Sequence, residues 1–238
     1  MRLDVLVSER EGISRTRAQN LIKTGGVTVD SNLVNKPSFD VNADVALTIR
    51  DTLKYASLGG IKLENALDVF DISVENSRCL DIGAANGGFT DCLLKRGAKE
   101  VFAVDLNVAF PPELLSDDRV RIYDKVNVKD LSAIFCDGDF DFLCADLSFI
   151  SLTGLFSMFF PLLKKGGRMV VLFKPQFEVG KKSLPKSGVV RDGKTIEKTF
   201  SAFCESAKQA GFSIGGDCPI PQIFPDKNAE RTVLLLKE

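Results

Sequence analysis

At 238 residues, with 45% apolar residues and a net charge of −1 from 31 Lys and Arg against 32 Asp and Glu, the chain has core material for one large domain and one small one. No apolar run approaches the roughly 20 residues that cross a bilayer, and the apolar start is short and broken by Asp4, unlike a signal peptide; a cytoplasmic protein with no membrane contact is expected. There is no histidine, which excludes serine–histidine and cysteine–histidine nucleophile systems, and the six cysteines form no C-x-x-C pair. They read as buried free thiols in a reducing compartment, with no metal site.

In chain order, Ser14 is a helix N-cap, and Ala18, Leu21 and Ile22 form one apolar stripe with Arg15, Arg17 and Lys23 left to solvent. This predicts a basic amphipathic helix ended by Gly25-Gly26. Residues 27–35 read as a tight hairpin with Asp30-Ser31-Asn32 at its turn, and Pro37 with the alternation over 41–49 predicts further short strands. The set Arg2-Leu3-Asp4-Val5-Leu6-Val7, Ser14-Arg15, Ala18, Ile22, Gly26-x-Val-x-Val and Lys36-Pro37 resembles the S4 RNA-binding domain, an α+β module. The resemblance implies that Arg2, Arg15, Arg17, Lys23 and Lys36 meet RNA phosphates, positioning the RNA rather than reading its sequence. The first 50 residues are nearly neutral, with seven basic against six acidic side chains. A helix–hairpin domain used for protein contacts is therefore the competing reading.

Residues 50–58 read as a linker, dividing the chain into domains over 1–55 and 56–238. Beyond it, strand and helix alternate. Helices are expected over 62–70, 89–96, 150–163 and 195–210, and strands over 78–82, 101–105, 120–123, 140–145, 168–173 and 232–237. Such alternation argues an α/β fold with a doubly wound, largely parallel sheet and ligands at the carboxyl ends of its strands. From 164 to 198 the chain carries ten Lys and Arg against three acids. One face should be basic, and Lys181, Lys182, Lys186 and Arg191 are candidates for holding RNA phosphates.

The run Cys79-Leu80-Asp81-Ile82-Gly83-Ala84-Ala85-Asn86-Gly87-Gly88-Phe89-Thr90 reads as a buried strand, a glycine-rich turn and a helix. It lacks the lysine of a Walker loop and the G-x-G-x-x-G of a dinucleotide fingerprint. The remaining pattern, D-x-G-x-x-x-G-G-F, resembles motif I of S-adenosylmethionine-dependent methyltransferases. On this reading Gly83, Gly87 and Gly88 let the backbone approach the cofactor, with Asp81, Ala84, Asn86 and Phe89 around it. Asp105, ending the next strand, would grip a ribose, and Asn127 and Asp146 complete the cofactor set.

Lys62 stands at the front of the helix before the cofactor strand, Asp146 and Lys174 follow strands, and Glu230 precedes the last one. Two lysines and two carboxylates in one cleft suit methyl transfer to a hydroxyl. Lys174 would accept or orient the hydroxyl proton while Asp146 and Glu230 fix the lysine geometry. Across nearly its whole length the chain resembles the TlyA-type, haemolysin A-like ribosomal RNA 2′-O-methyltransferases, an S4 domain fused to an FtsJ-like Rossmann methyltransferase domain. The segments that carry the resemblance are Gly59-Gly60-Ile61-Lys62-Leu63-Glu64, the glycine turn, Asp146-Leu147-Ser148-Phe149-Ile150-Ser151, Phe173-Lys174-Pro175-Gln176-Phe177-Glu178, Gly188-Val189-Val190-Arg191-Asp192 and Asn228-Ala229-Glu230. It implies a Lys62, Asp146, Lys174 and Glu230 tetrad, S-adenosyl-L-methionine as cofactor, and ribosomal RNA or ribosomal subunits as partner, with cytidine ribose as the target. The chain departs from the family pattern at Leu58, over 106–112, around Asn127 and after Asp192. A non-catalytic ribosome-assembly factor on the same fold is the alternative. A membrane-active cytolysin is a third reading, with little in the sequence to support it.

Overall fold

The computed structural model of the protein describes residues 1–180, 183–220 and 228–238. The chain opens with α1 (Leu3–Glu11) and α2 (Arg15–Lys23), then β1 (Val27–Val29), β2 (Asn32–Leu33) and β3 (Leu47–Ile49) in an antiparallel sheet ordered β2-β1-β3. Ser14 caps α2 by accepting from the Arg17 amide at 3.2 Å. The hairpin turns on Asp30 and Ser31 alone, both at positive φ, so Asn32, expected in the turn, pairs with Val29. Two left-handed residues give such a turn the twist of its flanking strands. Sequence patterning does not single out α1, whose Leu3, Leu6 and Val7 pack with Ala18, Leu21 and Ile22 as a core of their own.

The larger part runs α3 (Gly59–Val69), β4 (Arg78–Ile82), α4 (Gly88–Lys95), β5 (Glu100–Asp105), α5 (Pro112–Leu115), β6 (Val120–Asp124), α6 (Leu131–Ile134), β7 (Phe140–Ala145), α7 (Phe156–Leu162), β8 (Leu163–Phe173), α8 (Pro175–Glu178), α9 (Gly193–Gln209), β9 (Ser213–Pro219) and β10 (Arg231–Leu236). Its seven-stranded sheet has the order β6-β5-β4-β7-β8-β10-β9, parallel from β6 to β8, with β10 antiparallel to both neighbours. The chain winds outward from β4 to β6 and then returns to β7 on the other side. That reversal opens a crevice at the strand ends between β4 and β7. Strands covered on both faces must be apolar throughout. In β8, Met169, Val171 and Phe173 enter the layer of Phe156 and Phe203, while Val170 and Leu172 enter that of Leu63 and Leu93.

Several elements differ from the sequence expectation. The helix expected over 150–163 is confined to α7, because Ser151, Leu152 and Thr153 donate instead to the Glu178 carboxylate. The strand β9 was not expected; Gly215-Gly216 imitates a turn, whereas here it accompanies a register shift in an edge strand. Lys62 lies inside α3, which begins at Gly59. All six cysteines are free, but only Cys79, Cys92 and Cys144 are buried, Cys204 and Cys218 are half-buried, and Cys136 is exposed.

The linker over 50–58 is docked along its length. Arg17 donates to the Ala56 carbonyl at 3.2 Å and pairs with Asp51 at 2.5 Å; the Ala56 amide donates to Asp91 Oδ2 at 2.8 Å. Lys95 donates to the Lys54 carbonyl, and Tyr55 is buried with its hydroxyl on Glu64, 2.8 Å away. Basic helix α2, the linker and α4 are thereby joined by hydrogen bonds.

Candidate active site

The strand order brings the four charged residues together. Asp146 and Lys174 follow the parallel neighbours β7 and β8, and Glu230 precedes β10, which runs antiparallel beside β8, so all three reach the same edge of the sheet. Lys62 faces them from the first turn of α3. All four line one cavity of about 570 Å³, inside the roughly 300–1,000 Å³ of small-molecule sites. Each lysine has its own carboxylate, so the expectation that both carboxylates hold Lys174 is replaced by two ion pairs. Lys174, 7% exposed, pairs with Asp146 and donates to Ser148 Oγ at 3.1 Å; Lys62 Nζ lies 2.5 Å from Glu230 Oε2. Burial works against a charge on Lys62, but Asp146 and Glu230 more than offset it and raise its pKa above the ordinary lysine value, keeping it a cation.

The glycine turn borders the same cavity through Gly83, Ala84, Ala85, Asn86, Gly88 and Phe89. The missing side chains make room for the protein itself rather than for a ligand. A Cβ on Gly83, at φ +87, would lie 2.8 Å from the Asp146 carbonyl oxygen; one on Gly87 would meet Leu114 at 2.5 Å, and one on Gly88 the Ser57 hydroxyl at 2.2 Å. The turn can therefore pack tightly between β7, α5 and α3, which positions its backbone. The first turn of α4 carries no side-chain cap and reaches the cavity at Gly88 and Phe89. Uncapped amides at a helix start suit a carboxylate such as that of an amino-acid-bearing cofactor.

Four expected cofactor residues, Gly87 in the turn together with Asp81, Asp105 and Asn127, do not line this cavity. Asp81 is fully buried beneath the turn and accepts from the Thr90 hydroxyl at 2.6 Å. Asp105 holds the Ala85 amide at 3.1 Å and the Asn107 amide at 2.8 Å, bracing the turn. Asn127 is exposed and accepts from the Lys129 amide, capping a short helical turn.

Of the residues expected at RNA, Arg2 and Arg15 both bond the fully buried Asp4, which Gln19 also meets at 2.7 Å. Arg17 is engaged by the linker. Lys23 is half-buried at the end of α2, while Lys36, Lys186 and Arg191 are exposed. Lys181 and Lys182 lie outside the described residues. Among the described residues no helix is long and apolar enough to cross a membrane, and no cluster suited to a metal ion occurs.

Residues not expected from the sequence also line the cavity. Ser148, Gln176 and Asn228 each stand two positions from a tetrad member, on the same strand ends, and that spacing is the signal that points to them. Thr16 and Asn20 reach the cavity from α2. Phe149, 93% exposed and at φ 68, packs against Phe177 with ring centres 5.4 Å apart.

Residues 55–237 match the family model of FtsJ-like methyltransferases, and residues 1–46 match that of the S4 domain. YqxC of Bacillus subtilis, provisionally named an rRNA methyltransferase, is 41% identical over 234 residues, covering 96% of this chain and 83% of the relative. The 16S/23S rRNA (cytidine-2'-O)-methyltransferase TlyA of Mycobacterium tuberculosis is 36% identical over 226 residues, covering 93% and 84%. A solved structure from Streptococcus thermophilus, described provisionally as a hemolysin, superposes with a TM-score of 0.77 at 35% identity, over 100% of this chain and 88% of that one. The parallel sheet, the glycine turn at its switch point and these matches agree: the chain belongs to the FtsJ-like methyltransferase family and, with its S4 domain, to the TlyA type within it.

Proposed function

We propose that the protein transfers a methyl group from S-adenosylmethionine to the ribose 2′-hydroxyl of a cytidine in ribosomal RNA, and so acts in the cytoplasm. The observation that carries this reading is the convergence of the Lys62–Glu230 and Lys174–Asp146 pairs on the cavity bordered by the glycine turn. Similarity to a relative named for cytidine 2′-O-methylation of 16S and 23S rRNA, and the S4 match, support the choice of substrate. When bound, S-adenosylmethionine supplies a methyl group on a sulfonium sulfur, a strong electrophile.

The protein's part is to hold and to polarise. The backbone from Gly83 to Gly88 and the uncapped amides of α4 would hold the donor. Lys174, buried and fixed by Asp146 and Ser148, is placed to hold the acceptor oxygen, and its pair with Asp146 offers a route by which the hydroxyl proton leaves. Lys62, held cationic beside Glu230, adds a second positive charge facing the oxygen as it loses that proton. Holding the oxygen in line with the methyl group would supply much of the rate.

The test is transfer of labelled methyl to free rRNA and to unmodified subunits, read as an alkali-resistant dinucleotide. Lys174→Ala should lower turnover by about 10²–10⁴-fold while leaving cofactor affinity within about twofold. A variant with wild-type turnover would remove the tetrad from the mechanism. A folded wild-type protein that binds rRNA but transfers nothing would favour the assembly-factor reading.

A further inference from the structure

Asn228 lines the cavity two residues before Glu230, and its side-chain amide holds the backbone of a second loop. Its Oδ1 accepts from the Val190 amide at 2.8 Å, and its Nδ2 donates to the Gly188 carbonyl at 2.9 Å. With both ends bonded, the orientation of the amide is fixed. The same loop is anchored again where Asp192 caps α9, accepting from the Thr195 amide at 3.0 Å. Arg191 stands between the two anchors. Its backbone is held on both sides, whereas its side chain is exposed and has no ion pair or hydrogen bond among the described residues.

The charge balance of the cavity gives that side chain a role. Among the described residues, the charged ones lining it are Lys62, Asp146, Lys174 and Glu230, two cations already paired with two carboxylates. In RNA the 2′-hydroxyl neighbours the 3′-oxygen that carries the next phosphate, so a ribose seated at Lys174 brings a phosphodiester to the cavity rim. The paired lysines leave its charge unmet. A guanidinium offers parallel N–H donors that match two phosphate oxygens, and Arg191 is one residue from a backbone bonded to the cavity wall. We propose that Asn228 is a positioning residue: by fixing residues 188–190 it holds Arg191 where the guanidinium binds the phosphate next to the ribose to be methylated. This rests on the RNA methyltransferase reading above and adds the device that seats the substrate backbone. A loop fixed before the RNA arrives lowers the cost of ordering the arginine, and a phosphate contact beside the reacting ribose sets the register of the strand.

The experiment compares wild type, Arg191→Ala, Asn228→Ala and the double variant. The readouts are kcat and KM on rRNA and, separately, S-adenosylmethionine affinity by calorimetry. Arg191→Ala should raise KM for rRNA by about tenfold or more, as expected for a lost charge-assisted hydrogen bond, with kcat changed less. It should also lower the slope of log affinity against log salt by about one. Asn228→Ala should raise KM in the same direction, yet add less than about twofold once Arg191 is gone, because it acts through that side chain. Asn228→Ser, smaller but still polar at the cavity wall, takes its place in the same comparison if the alanine variant does not fold. Cofactor affinity should stay within about twofold throughout. Wild-type KM in either single variant, effects that multiply in the double variant, or losses matched by weaker cofactor binding would overturn the inference alone. Wild type inactive on rRNA would overturn the methyltransferase reading and this inference with it.

Discussion

Asp81 shows how far a residue's chemistry can depart from its place in a motif. It ends β4 as a sequence reading expects, yet it is fully buried and bonded to Thr90, and burial pushes its pKa up to about 7 against the lowering effect of that hydroxyl. An unfolded Asp titrates near pH 4. Between about pH 4 and 7 the folded protein therefore keeps a proton that the unfolded chain has lost. This contribution to stability is present below pH 4 and lost as pH rises through 7. Asp81→Asn should consequently flatten the pH dependence of Tm between pH 5 and 8, with the variant gaining on wild type toward the alkaline end; equal slopes in the two proteins would refute the assignment. Asp4 has the opposite sign. Hydrogen bonds from Arg2, with Gln19 and Arg15, hold its carboxyl well below the usual range although burial opposes them, so its contribution is present above about pH 4 and lost in stronger acid. Lys62, Asp146, Lys174 and Glu230 were legible as strand-end or helix-start charges because hydrophobic runs mark where the strands stop. Their division into two pairs was not, since it depends on which strand lies beside which.

At the scale of elements, the docked linker sets the relation between α2 and α4. Asp91 accepts from both the Ala56 amide and Lys95 Nζ. Asp91→Ala would leave the Ala56 amide without its acceptor, a loss of about 1–3 kcal/mol in local stability. Hydrogen exchange should report this as roughly ten- to hundredfold faster exchange at Ala56, with the amides of β7 and β8 unchanged. Protection at Ala56 equal to wild type would mean that the other linker contacts suffice. The segment read as a linker from its lack of period, and local pattern does not reveal that it packs, because its partners Arg17, Glu64 and Asp91 lie on three different helices. The same limit hid β9. An edge strand carrying Gly215-Gly216 has almost no local signature and exists because β10 pairs with it.

At the scale of the whole molecule, the basic stretch from 164 to 198 is less uniform than its composition. Lys164 pairs with Asp141 at 2.6 Å and Lys174 is buried in the candidate site, whereas Lys186 and Arg191 are exposed. If these two side chains hold phosphates, Lys186→Glu combined with Arg191→Glu should weaken rRNA binding and reduce the slope of log affinity against log salt by about two. An unchanged slope would place the phosphate contacts elsewhere.

The sequence by itself determined the two-part organisation, the alternation of strand and helix, the glycine turn after β4 and the charged residues at the strand ends. Each follows from periodicity, capping or turn chemistry within a few neighbouring positions. Only the tertiary structure decided that Arg2 and Arg15 turn to Asp4 and that the glycines make room for Asp146, Leu114 and Ser57. Those facts depend on contacts between residues far apart in the chain, which strand order and helix packing create and no local pattern encodes.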